Sequence, residues 1–251
     1  MRTLRTLLVS SFALLLAGSI AAAEVKVTVE RNEGDKATPD FKFKDVPTPA
    51  KTSAATNAKY TIVDGDKDGA SGDLDVLHDG KLPTEEDQPD ANFFFNAGTE
   101  GGRLGIDLGS VTDIKQVNTY SWHKDTRAAQ VYTLYAADGT AAGFNSAPKN
   151  DVDPEKCGWT LVTKVDTRPK TGDTGGQYGV SIADSTATLG KYRYLLLVVS
   201  RTESDDDFGN TFFSEITVID DKAAGDQHPA TPPAAAEAPK LDILPAKAAT
   251  R

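Results

Sequence analysis

Residues 102–138, GRLGIDLGSVTDIKQVNTYSWHKDTRAAQVYTLYAAD, constrain the fold of this chain more than any other stretch. Apolar and polar residues alternate over 103–108, and Gly109-Ser110 interrupts them. Ile114, Val117 and Tyr120 mark a second run, and residues 131–135 a third. Short runs rich in Val, Ile and Tyr, separated by polar turns, predict three strands of an antiparallel β-sandwich or barrel. Such folds act through the loops at their ends more than through residues inside a sheet.

The rest of the chain extends the pattern. Residues 24–30 (EVKVTVE), 59–63, 159–165 (WTLVTKV), 178–182 and 212–219 each alternate as half-buried strands do. Residues 191–200 (KYRYLLLVVS) have a continuous apolar centre, which predicts a central strand buried on both faces. Residues 31–58 are polar and read as a loosely ordered leader, with Phe41 and Phe43 as the groups able to pin it to the core. Residues 139–158 read as an irregular insertion, and 170–177 as a Gly-rich loop. From about residue 221 the chain is rich in Ala and Pro (HPATPPAAAEAP), a composition that predicts a disordered tail.

Arg2 and Arg5, an apolar run over 7–20 and Ala21-Ala22-Ala23 make residues 1–23 an expected signal peptide, cleaved before Glu24. The apolar run is too short to span a bilayer. Ser19 stands where a lipoprotein signal would carry its cysteine, which disfavours a lipid anchor. The mature protein is therefore expected to be secreted or periplasmic. The formal net charge of −10 argues against nucleic acid or an anionic membrane as partner and suits cations, neutral sugars or basic proteins. Cys157 is the one cysteine, so no internal disulfide can form.

Two acidic patterns compete for a metal. Asp64-Gly65-Asp66-Lys67-Asp68-Gly69, with Asp75 at the twelfth position, has the outline of an EF-hand loop. A strand precedes it, no helix follows, and Ser71 occupies the place of the usual apolar residue, so a solvated acidic turn is the competing reading. The second pattern is Asp79-Gly80-Lys81-Leu82-Pro83-Thr84 with Glu215 far downstream. A carboxylate, a tight Gly turn and a hydroxyl present oxygens to a hard cation, and a carboxylate from the last strand would staple the two ends of the domain.

Aromatic and donor side chains cluster at one expected strand end: Tyr120, Trp122, His123 and Arg127. An aromatic face stacks on a sugar ring while His and Arg bond to hydroxyls; the competing reading makes Trp122 a cap on the core. Arg201, Glu203 and Asp205-Asp206-Asp207 form a second polar loop, either a ligand contact or a solvated run of charge. The sequence holds no Gly-x-Ser-x-Gly elbow, His-Glu-x-x-His pair or phosphate loop. Cys157 lacks a defined His partner and reads as a surface cysteine.

From about residue 59 to 219 the chain resembles the discoidin-like, coagulation-factor-type C domains of the galactose-binding-like superfamily. The resemblance rests on Asp79-Gly80 with Thr84, Gly102-Arg103-Leu104-Gly105-Ile106-Asp107-Leu108-Gly109, and Ile114 with Val117. It continues through Tyr132, Leu134, Tyr135 and Ala137-Asp138-Gly139, then Trp159 with Val162, and closes on Phe213-Ser214-Glu215-Ile216 with Val218. It implies a jelly-roll sandwich and a structural calcium ion held by Asp79, Thr84 and Glu215, with backbone carbonyls such as that of Lys81. The disulfide common in that family is missing, and the insertions at 140–157 and 168–177 are long for it.

The expectation is thus an all-β, secreted, non-catalytic binding module over 59–220, preceded by a strand and leader at 24–58. Its expected ligand is an extracellular or cell-surface glycan, contacted through Tyr120, Trp122, His123, Arg127 and Arg201. The alternative is an envelope structural or protein-interaction domain that ignores sugars; a small hydrolase on the same sandwich is a third reading.

Overall fold

The computed structural model describes residues 24–185, 187–203 and 209–221. The expected signal peptide, the tail beyond 221 and Asp205-Asp206-Asp207 lie outside the described residues. Eight strands appear in order: β1 (Val25–Asn32), β2 (Lys59–Asp64), β3 (Gly102–His123), β4 (Val131–Ala137), β5 (Thr160–Asp166), β6 (Gly176–Asp184), β7 (Gly190–Val199) and β8 (Phe213–Asp220). All pairings are antiparallel. Among the described residues there is no α-helix, and no helix is long and apolar enough to cross a membrane.

The sequence breaks the run 103–120 at Gly109-Ser110, but the structure makes it one continuous strand that serves both layers. The first part of β3 pairs with β2 and β7, with Leu104 facing Ile62 and Leu197. Its second part pairs with β6 and β8, with Val117 facing Ile182 and Val218. The register shifts between Asp107 and Thr112, where Gly109 takes φ +82° and donates its N–H to Asp107 Oδ1 at 2.8 Å. The turn expected there is a corner that carries the chain from one layer to the other, which a residue free to adopt positive φ permits. One layer runs β2-β3-β7-β4-β5 and the other β1-β6-β3-β8. Leu104, Ile106, Leu134, Leu195 and Leu197 from the first meet Val117, Val180, Ile182, Ile216 and Val218 from the second in the core.

Strand β7 lies between β3 and β4 and is buried on both faces, as its apolar centre predicts. Leu195 and Leu197 face the core, whereas Leu196 packs outward against Val63, Ala137 and Trp159. The insertion 139–158 covers that outer face. It is held by Arg103, whose buried guanidinium donates to the carbonyls of Pro148 (3.0 Å), Val152 (2.9 Å) and Asn150 (3.3 Å).

The leader is not loose. After β1 it carries no further strand until β2, yet Phe41, Val46 and Ala55 are buried. The Glu30 carboxylate accepts from the N–H groups of Lys44 (3.2 Å), Asp45 (2.7 Å) and Val46 (2.6 Å). Gln177 Nε2 donates to the Thr38 carbonyl at 2.8 Å. The segment forms a strap over the outer face of the second layer. Gly179 allows the close approach: a methyl group there would meet the Phe43 ring at 2.6 Å.

Candidate functional site

The structure separates the residues expected to bind ligand into two groups. Tyr120 and Trp122 point outward from β3, but the strap covers them. The Phe41 ring stands edge-on to both, at 6.1 and 5.8 Å, and Phe43 stacks on Tyr120 at 6.4 Å. The Tyr120 hydroxyl donates to the Pro47 carbonyl at 2.7 Å. At 0% and 5% exposure, Tyr120 and Trp122 are core beneath the leader and offer no open face for a sugar ring. The expectation of an aromatic platform is corrected here, because a polar leader carrying two Phe residues supplies the missing cover.

His123 and Arg127 do come together. Both lie at the end of the sandwich where β3 starts and finishes, and where β7 gives way to the loop before β8. Phe94 and Phe212 stack there with centroids 3.9 Å apart. The Arg127 guanidinium lies over them, 5.2 Å from Phe94 and 4.9 Å from Phe212. The His123 ring meets Phe212 edge-on at 4.6 Å. His123 Nδ1 accepts the Asp125 N–H at 3.0 Å, which leaves the proton of the neutral ring on Nε2, 3.8 Å from Asp87 Oδ1. Burial lowers the imidazole pKa, against the opposing pull of Asp87. Asp87 itself is held low, chiefly by its hydrogen bond from Lys124, whose Nζ lies 3.0 Å from Asp87 Oδ2. Arg201 sits on the loop after β7 and pairs with Glu100 at 3.3 Å.

Sequence reasoning missed Asp87, Phe94 and Phe212. The signal lay in Phe93-Phe94-Phe95. Phe93 and Phe95 belong to the main core, whereas Phe94 between them turns to the other side and supports Arg127.

The expected metal residues are partly assembled. Glu215 is 2% exposed on β8, opposite Tyr120. Burial pushes its carboxyl up to about 8; the Gly80 N–H bonded to it pulls the other way, and neighbouring Asp79 adds to the rise. Glu215 Oε2 and the Tyr60 hydroxyl are buried and have no hydrogen-bond partner, and the charge of Glu215 acts on Tyr60. Two neighbouring carboxylates, one with an orphaned oxygen, fit a hard cation. The Lys81 ammonium instead lies 3.4 Å from Asp79 Oδ2. Thr84 bonds through its hydroxyl and its N–H to Gln88 Oε1, at 3.2 and 2.8 Å.

The EF-hand outline does not close into a cage. Asp64 accepts from the N–H groups of Gly65 and Asn150, Asp68 from those of Ala70 and Ala97, and Asp73 pairs with Lys67 at 2.7 Å. Asp64 and Asp68 are thus spent on separate backbone donors. Among the described residues no group of three or more His, Cys, Asp or Glu side chains is placed to hold a metal ion.

No protein-family model matches the sequence, and no curated protein matches it. Solved structures do. A GH29 fucosidase of Ruminococcus gnavus is 17% identical with a TM-score of 0.40, over 68% of this chain and 27% of that one. The chain thus spans about a quarter of that enzyme's length. The family 32 carbohydrate-binding module of Clostridium perfringens NanJ, in complex with galactose, is 12% identical with a TM-score of 0.40, over 66% of this chain and 97% of that one. A chitosan-binding module from a Paenibacillus sp. IK-5 chitosanase/glucanase is 18% identical with a TM-score of 0.41, over 66% and 98% of the two chains.

Proposed function

We propose that this chain is a non-catalytic glycan-binding module whose ligand lies over the sandwich end that carries His123 and Arg127. The observation that supports the reading is the seating of Arg127 on the Phe94–Phe212 stack, beside His123 and Asp87. A guanidinium fork, an imidazole and a carboxylate, each fixed by its neighbours, offer donors and acceptors to sugar hydroxyls with little side-chain freedom left to lose. Arg201, at the same end, extends the donor set.

The scaffold is held by a cation in this reading. Asp79 and Glu215 are the side chains that would bind calcium, and the ion would offset the buried charge of Glu215 and tie the loop after Leu77 to β8. Residues 1–23 direct the protein out of the cytoplasm.

The test is binding of the full chain to immobilised galactose, N-acetylgalactosamine and chitosan oligomers, followed by a wider glycan set. Binding that Arg127→Ala reduces at least about tenfold supports the assignment, the usual loss when a charged hydrogen-bond donor is removed. Capture of an envelope protein with no affinity for any glycan supports the protein-interaction alternative instead.

A further inference from the structure

The insertion 139–158 covers only part of the outer face of the layer β2-β3-β7-β4-β5. Beside it a groove of about 240 Å³ stays open, lined among others by Lys59, Thr61, Asp107, Ser146 and Tyr194. Gly105 lies on its floor beneath Val63, whose Cγ2 an added methyl group would meet at 2.9 Å. Pockets for drug-sized ligands begin at about 300 Å³, so the groove suits one ring and not a chain.

Two of the residues that line the groove are charged, Lys59 and Asp107. Arg193 grips Asp107 through two bonds, 2.7 and 2.8 Å, and Lys59 is the cross-strand partner of the same Asp107. Asp107 is thus already paired with Arg193, and among the described residues the neighbouring Lys59 is left without an ion partner, on a chain of formal net charge −10. Among the described residues, Lys59 makes no ion pair within 4.0 Å, and the hydroxyls of Thr61 and Ser146 make no hydrogen bond. Val63, Ala147, Trp159 and Tyr194 form an apolar wall.

An open ammonium, two open hydroxyls, a fixed acceptor and an apolar wall are the complement of a sugar ring that carries a carboxylate. We propose that this groove binds a single hexuronic acid ring, as found in acidic polysaccharides, with its carboxylate on Lys59. Thr61, Ser146 and Asp107 meet the ring hydroxyls, and the apolar wall takes a C–H face. The groove lies on a sheet face, apart from the loops that carry Arg127, so it stands independently of the site proposed above.

Titration of the full chain with glucuronate and galacturonate, beside glucose and galactose, tests the assignment. The uronates are expected to bind at least about tenfold more tightly than the neutral sugars, a charge-assisted bond being the difference, and to weaken as salt is raised. Lys59→Gln should cost uronate binding about tenfold, and Ala147→Trp, at an exposed wall position, should block it. Uronate binding that survives Arg127→Ala belongs to the groove. Equal binding of uronates and neutral sugars, no uronate binding, or uronate binding unchanged by both groove variants overturns the proposal. Failure of the Arg127 site leaves these outcomes untouched, because the probes and the variants differ.

Discussion

Gly80 stands beside the buried carboxyl of Glu215, so the loop after Leu77 clasps the last strand of the domain. Asp79 stands beside the same carboxyl and makes its ionisation harder.

Without a cation, this clasp makes stability depend on pH in a defined direction. Unfolded Glu215 ionises near 4.5, whereas the folded carboxyl holds its proton to about 8. Between those values the folded chain binds more protons, so stability falls as pH rises and levels off above about 8. The fall is on the order of a few kcal/mol, and Glu215→Gln should remove it. Urea melts at pH 5, 6.5 and 8 in chelator, wild type against variant, isolate the contribution. Added calcium should raise the melting temperature of the wild type at pH 8 and leave Glu215→Gln unchanged.

Removing the Phe41 ring should cost about 3–5 kcal/mol, the usual range for a buried aromatic truncated to Ala. Phe41 is fully buried and touches both Tyr120 and Trp122. Denaturant unfolding of Phe41→Ala gives the value. A loss under about 0.5 kcal/mol, typical of an exposed residue, would mean that the strap is not part of the folded core.

Arg103 holds the insertion through three backbone carbonyls. Arg103→Ala should destabilise the chain by about 2–4 kcal/mol, since several acceptors lose a charged donor together. Limited proteolysis should then cut within 139–158 before any other described segment.

The Cys157 thiol is raised above its ordinary pKa by burial first, with Asp153 adding and Arg103 opposing. Alkylation at pH 7.5 should therefore run slower than for a free cysteine. Cys157→Ser should leave thermal stability and glycan binding unchanged.

The strands were legible because their apolar periodicity is local: 59–63, 131–135, 159–165, 178–182 and 212–219 all fall in strands or within a residue of one. The corner near Gly109 was not, because a turn and a bend between layers share the same glycine signal. Burial at Tyr120 and Trp122 depends on Phe41, some eighty residues away, and no local pattern records that packing. Phe41 and Phe43 did mark where the leader would anchor. His123 and Arg127 were grouped by residue type and do lie together, but the Phe94–Phe212 stack beneath Arg127 forms only when two distant loops meet.

The most direct measurement is the affinity of the full chain for the tightest glycan from the screen, with Arg127→Ala and the wild type measured side by side at matched folding. The account predicts binding by the wild type and a loss of at least about tenfold in the variant. Equal affinity in the two proteins would contradict it.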